Sequence, residues 1–195
     1  MSRMSASEDK HIPVTIVSID SGQLSGLQFP NNTLAFLGIP YAAPPISSLR
    51  WRPPQRPLPW TGVRSAVNFG PSAVHFPPPP RSLYFGGETD FNEDCLYLNV
   101  WTGSNCEGKR PVLLWFHMGA FQFGSGSNPL YDGRKLAEEG ITVVTVNYRL
   151  GRFGFLAHSE LTAESEYQAK LWYHGPNCCA GVGTAEYSVL WGRPK

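Results

Sequence analysis

Long apolar runs are missing from this chain of 195 residues, and no stretch approaches the roughly 20 residues that a bilayer-spanning helix needs. The opening stretch, MSRMSASEDKHIP, also lacks the apolar centre of roughly 7 to 15 residues that defines an export signal. Together these absences give the expectation of a soluble chain that stays in the cytoplasm rather than being secreted. An excess of one charge is missing too. Sixteen Lys and Arg face fifteen Asp and Glu, for a net +1. No basic cluster falls on one segment, which excludes the electrostatic footprint of nucleic acid or anionic lipid. Cysteine is scarce: Cys95, Cys106, Cys178 and Cys179 are too few and too irregular for a disulfide framework or paired zinc ligands. Thiols are expected, with no metal and no cofactor. Asn31-Asn32-Thr33 fits a glycosylation sequon, but without an export signal it reads as a turn.

What is present is a globular composition, 42% hydrophobic and 13% aromatic, enough for one domain with a real core. Pro13 to Ser18 and Thr33 to Ile39 are β-branched or apolar runs separated by glycines, which predicts short strands at the edge of a sheet. The following GIPYAAPPISSLRWRPPQRPLPW is rich in proline, which removes backbone donors and favours extended geometry, so an irregular surface wrap is expected. Pro77 to Pro80 read as a loop, with a polyproline ligand for a binding module as the alternative. Further strands are predicted at Leu96 to Trp101, Val112 to Phe116 and Thr142 to Val146. The last two are nearly continuous apolar runs, implying burial on both faces. Between them, DGRKLAEEG from Asp132 to Gly140 offers an acidic N-cap, helix formers and a terminating glycine. Strand, glycine turn, helix and strand make an α/β unit.

Four segments carry a resemblance in order and spacing: FLGIPYAAPP with LRWRPP, EDCLYLNVW, WFHMGAFQFGSGS and VVTVNYRLGRFGFL. Together they resemble the N-terminal part of the type B carboxylesterase family of α/β-hydrolases, relatives of the cholinesterases and some lipases. The resemblance runs from about Val14 to Ala169. It implies an α/β fold with a mixed sheet and a small antiparallel N-terminal β region. The activity it implies is serine-type hydrolysis of small carboxylic esters.

In that family the segment beginning with His117 forms most of the oxyanion hole. Ester hydrolysis passes through a tetrahedral alkoxide, and fixed backbone N–H donors stabilise that charge without reorganising. By the resemblance, Gly119 and Ala120 match the two N–H donors, and His117 matches the leading histidine, whose ring satisfies local hydrogen bonds rather than acting as a base. Met118 departs from the pattern, standing at the first glycine. A side chain there is expected to strain the turn if that backbone needs positive φ. Glu93 and Arg50 resemble a buried ion pair that pins the proline wrap, and Arg149 is likewise a structural pair-former. Cys95 matches a cysteine that exported relatives tie to an upstream partner, but Ala73 stands at the partner position.

The family's serine lies in Gly-Glu-Ser-Ala-Gly, and no Gly-x-Ser-x-Gly occurs in this chain. Gly70-Pro71-Ser72 fails at Val74, Ser125 and Ser127 lack the spacing, and neither His158 nor His174 has an activated serine to serve. The segment from Lys170, KLWYHGPNCCAGVGTAEYSVLWGRPK, differs from the family continuation. Permitted codon choices read from the second base of the Lys170 codon give NYGIMDQIAALGWVQQNIAFFGGDP, which resembles that continuation. The expected division is therefore 1–169 as the N-terminal part of the hydrolase domain and 170–195 as a divergent tail outside the family reading frame. A chain cut there is expected to be inactive and to self-associate through an uncovered sheet edge. The alternatives are a non-catalytic interaction protein on the hydrolase scaffold and a small proline-based binding module.

Overall fold

A computed structural model describes residues 12–104 and 109–164. Nine strands and three short helices follow one another among the described residues. They are β1 (Ile12–Ile19), β2 (Gly22–Gln28), β3 (Thr33–Pro40), β4 (Val63–Ser65), β5 (Ser72–Ala73), β6 (Phe91–Asn92), β7 (Tyr97–Gly103), β8 (Val112–Phe116), α1 (Arg134–Glu138), β9 (Thr142–Val146), α2 (Gly151–Phe155) and α3 (Ser159–Glu164). Among the described residues the main sheet runs β1-β2-β3-β7-β9-β8, with β4 beside β2. The sheet is mixed: β8 and β9 are parallel, whereas β1 through β3, β7 and β9 pair antiparallel along the path.

Strand alternation divides the core between the two faces of this sheet. Leu34 and Phe36 of β3, Leu98 and Val100 of β7, and Val144 and Val146 of β9 fall in one buried cluster. Ala35, Leu37, Trp101 and Val143 fall in the other, where Ala137 of α1 covers them. The registers agree, since Val100 lies opposite Val144 and Trp101 opposite Val143. Gly133 lets the start of α1 come close, because a Cβ there would lie 2.8 Å from Val143 and 2.9 Å from Trp101.

The structure corrects several expectations. β9 is buried throughout, but β8 is not: Leu113, Trp115 and Phe116 are 39%, 38% and 43% exposed. The reason is position, because β8 is the outermost strand of the described sheet. Conversely β3, expected at an edge, lies between β2 and β7. The predicted helix is shorter than its sequence window. Asp132 spends its carboxylate in a local turn, accepting from the Arg134 N–H at 3.0 Å, and Gly140 at φ +85 stops the helix as expected.

Beyond Pro40 the proline wrap has only a 3-10 turn at Ser47–Leu49, and side chains anchor it. Glu93 takes Arg50 bidentately at 2.6 and 2.7 Å, the Trp51 ring N–H donates to the Arg152 carbonyl at 2.9 Å, and Arg149 donates to the Arg52 carbonyl at 3.0 Å. The Arg50–Glu93 pair is half-buried rather than buried. The expected sequon is a turn: Asn32 takes φ 61, Asn31 donates to Glu138, and Thr33 is buried. Pro77 to Pro80 lie in a loop. Cys106, Cys178, Cys179, His174 and the tail expectation fall outside the described residues.

Candidate active site

The turn after β8 begins at His117, which is 3% exposed. Its ring lies parallel to that of Tyr148, with centroids 4.3 Å apart and planes 12° apart. The Tyr148 hydroxyl donates to the His117 carbonyl at 2.7 Å, and His117 Nδ1 donates to the Met118 carbonyl at 2.9 Å. Burial pushes the imidazole down to about 4, so the ring is neutral near pH 7. This agrees with a structural role for His117.

Three successive residues then take positive φ: Gly119 at 123°, Ala120 at 50° and Phe121 at 63°. For the two non-glycine residues this costs about 1–2 kcal/mol each. Neighbours hold them there. The Gly119 carbonyl accepts from the N–H groups of Gln122 at 2.8 Å and Phe123 at 3.3 Å, and the Phe121 carbonyl accepts from Gly151 at 2.8 Å. Among the described residues nothing accepts from the N–H groups of Gly119 or Ala120. Gly119 is fixed by space as well as by angle, since a Cβ there would lie 1.8 Å from the Phe123 carbonyl oxygen. Met118 is absent from the positive-φ set, so the expected strain at that position does not arise. The left-handed residues come two and three places later.

A buried polar network beneath the turn was missed from sequence. Asn147, just past β9, accepts from the Gly126 N–H at 2.7 Å and the Ser125 hydroxyl at 3.1 Å, and donates to the Pro71 carbonyl at 3.0 Å. Thr145 donates to the Gly126 carbonyl at 2.8 Å and accepts from Asn99 at 3.0 Å. Ser125 also accepts from Ser72 at 2.9 Å and lies 2.7 Å from the Ser127 hydroxyl. It is 0% exposed, which accounts for the serines of GSGS as scaffold. The available signal was polar residues set directly in and after the buried run of β9. His75 reaches the same turn, its Nε2 accepting from Gly124 at 3.4 Å. His158 is elsewhere, exposed at the start of α3. Ala73 and Cys95 line one small cavity of about 10 Å³ with Arg149 and Leu150, and Cys95 is a buried thiol there.

This mixed sheet, with its strained glycine turn after β8 of the parallel pair β8–β9, superposes on a carboxylesterase structure and is the N-terminal portion of an α/β-hydrolase fold. The match to known proteins is specific: the model of the carboxylesterase family covers residues 13–166. The chain belongs to that family. It is 43% identical over 155 residues to a fumonisin B1 esterase of Sphingopyxis macrogoltabida, covering 78% of this chain and 28% of that protein. To the acetylcholinesterase of Gallus gallus it is 44% identical, covering 72% and 20%. Against the para-nitrobenzyl esterase of Bacillus subtilis (strain 168) the figures are 42%, 72% and 29%. A solved PNB esterase superposes with a TM-score of 0.78 at 35% identity, covering 90% of this chain and 35% of that one. The chain thus spans less than a third of the length of these curated relatives. No helix among the described residues is long and apolar enough to cross a membrane.

Proposed function

We propose that this chain supplies the oxyanion donors of a serine-type carboxylic ester hydrolase, the backbone N–H groups of Gly119 and Ala120, and does not turn over an ester by itself. The observation that carries the reading is the pair of N–H groups without an acceptor on a strained turn held from several sides. The Gly119 carbonyl is tied inward by Gln122 and Phe123. Because that carbonyl and the Ala120 N–H belong to one planar trans peptide, the N–H is turned outward. Each such donor is worth about 3 kcal/mol when charge develops on a substrate oxygen. The donors act only on charge that a nucleophile creates. Ser125 is sealed and hydrogen-bonded, and His117 holds its proton on the nitrogen facing a carbonyl. Titration with a dialkyl phosphate, a tetrahedral monoanion, tests the site. Saturable shifts centred on the Gly119 and Ala120 amide resonances are expected, and shifts spread over surface lysines and arginines would contradict it.

The ester is small, and nucleic acid is not a partner for a chain of net charge +1. The outer edge of β8, with Leu113, Trp115 and Phe116 partly exposed, makes self-association the expected behaviour of this chain. A monodisperse monomer in sedimentation would contradict that. Residues 170–195 are assigned to another reading frame. Sequencing the transcript from the Ser165 codon tests this, the expected result being a junction that restores a Gly-Glu-Ser-Ala-Gly segment downstream.

A further inference from the structure

We propose that His117 is a positioning residue: its imidazole, donating from Nδ1 to the Met118 carbonyl, turns the Gly119 N–H toward the place where the oxyanion forms. The proposal rests on the reading of Gly119 and Ala120 as oxyanion donors. Its physical core is peptide geometry. The Met118 carbonyl and the Gly119 N–H belong to a single peptide unit, and no described peptide bond is cis. In a planar trans unit the two groups point in opposite directions, so fixing the carbonyl fixes the N–H. The carbonyl is fixed by the 2.9 Å bond from His117. Were this unit to flip, the Met118 oxygen would face the anion in place of a donor, and repel it.

The ring that makes this bond is itself held. Tyr148 stacks on it at 4.3 Å and bonds the carbonyl of the same residue at 2.7 Å. The adjoining backbone leaves no slack, because a Cβ at Gly124 would lie 2.6 Å from Nδ1 and 2.7 Å from the Met118 oxygen. Orientation thus passes from Tyr148, two residues past the end of β9, through the imidazole and the Met118 carbonyl, to the Gly119 N–H. Burial keeps the ring neutral, and a neutral imidazole has one N–H. With a carbonyl as partner, that N–H has to be on Nδ1. The arrangement therefore specifies a tautomer as well as a direction.

Long-range nitrogen–proton correlation on the unmodified chain at pH 7 reads the tautomer directly. Nδ1–H is expected, and Nε2–H would overturn the proposal without any substitution that endangers folding. Two variants then read the direction. His117→Asn places an amide N–H where Nδ1 was, and His117→Leu fills the space with no donor. The Gly119 amide resonance is expected to move in the Leu variant by more than that of any glycine outside the turn, and to return close to its original position in the Asn variant. No displacement in the Leu variant, or equal displacement in both, would overturn positioning by His117. The correct tautomer and the Leu displacement without any response to dialkyl phosphate would uphold positioning and overturn the oxyanion-donor reading instead.

Discussion

Lowering the pH from 7 to 4 should destabilise the chain through His117 by about 3 kcal/mol. The unfolded imidazole titrates at its ordinary 6.5, whereas burial pushes the folded one down to about 4. Between these values the unfolded chain takes up a proton that the folded chain refuses, so stability falls as pH falls through that window. At about 1.36 kcal/mol per pH unit, the gap sets the size of the loss. His117 is 3% exposed, so solvent screening takes little from it. Carboxylates titrate in the same range, so the measurement is a comparison. Urea midpoints of the unmodified chain and of His117→Asn would be followed from pH 7 to 4. With a urea slope of about 1–3 kcal/mol/M, the unmodified chain should lose about 1–3 M more in midpoint than the variant. Parallel loss in the two proteins would refute the assignment of a buried neutral imidazole.

Gly119→Ala should abolish the turn's geometry, since its Cβ would meet the Phe123 carbonyl at 1.8 Å where φ is +123, and the amide spectrum of residues 117–124 should reorganise. Asn147→Leu leaves the Gly126 N–H and the Pro71 carbonyl without their partner, while the Ser125 hydroxyl keeps Ser72 and Ser127. At about 1–3 kcal/mol for each orphaned buried group, a loss of several kcal/mol is expected in thermal or urea unfolding. Ala73→Cys should oxidise to a disulfide with Cys95, whose cavity it shares. The closed loop should stabilise the chain by about 3 kcal/mol, read as the difference between oxidised and reduced forms. Trp115→Lys on the outer edge of β8 should reduce self-association in sedimentation while changing unfolding by less than about 1 kcal/mol, since the side chain is 38% exposed.

The sheet was legible wherever one residue type announced burial. Val112 to Phe116 and Thr142 to Val146 became β8 and β9 with unchanged ends. What the pattern could not convey was which of the two would lie at an edge, because Leu113 and Val143 look alike in sequence and differ only in what packs beside them. Asp132 shows a second limit. A short carboxylate can act from the N-cap or from just before it, and here Asp132, one residue ahead of the N-cap Gly133, accepts from the Arg134 N–H that opens α1. At the site, the glycine turn after His117 could be read from the motif, and the Gly119 and Ala120 N–H groups proposed as donors lie on it. Strain was expected at Met118 but falls on Ala120 and Phe121, a matter of where the backbone reverses. Tyr148 and Asn147 were not legible because their partners, His117 and Gly126, lie 31 and 21 residues away in the chain.

Hydrolysis of a short-chain nitrophenyl ester by the purified chain, set beside its Gly119→Pro variant, is the most direct test of the proposal that the chain supplies oxyanion donors and does not turn over an ester by itself. Equal rates at the buffer background and no labelling by a serine-directed phosphonate are expected. Turnover by the unmodified chain above the variant, with a phosphonate adduct on any serine, would contradict it.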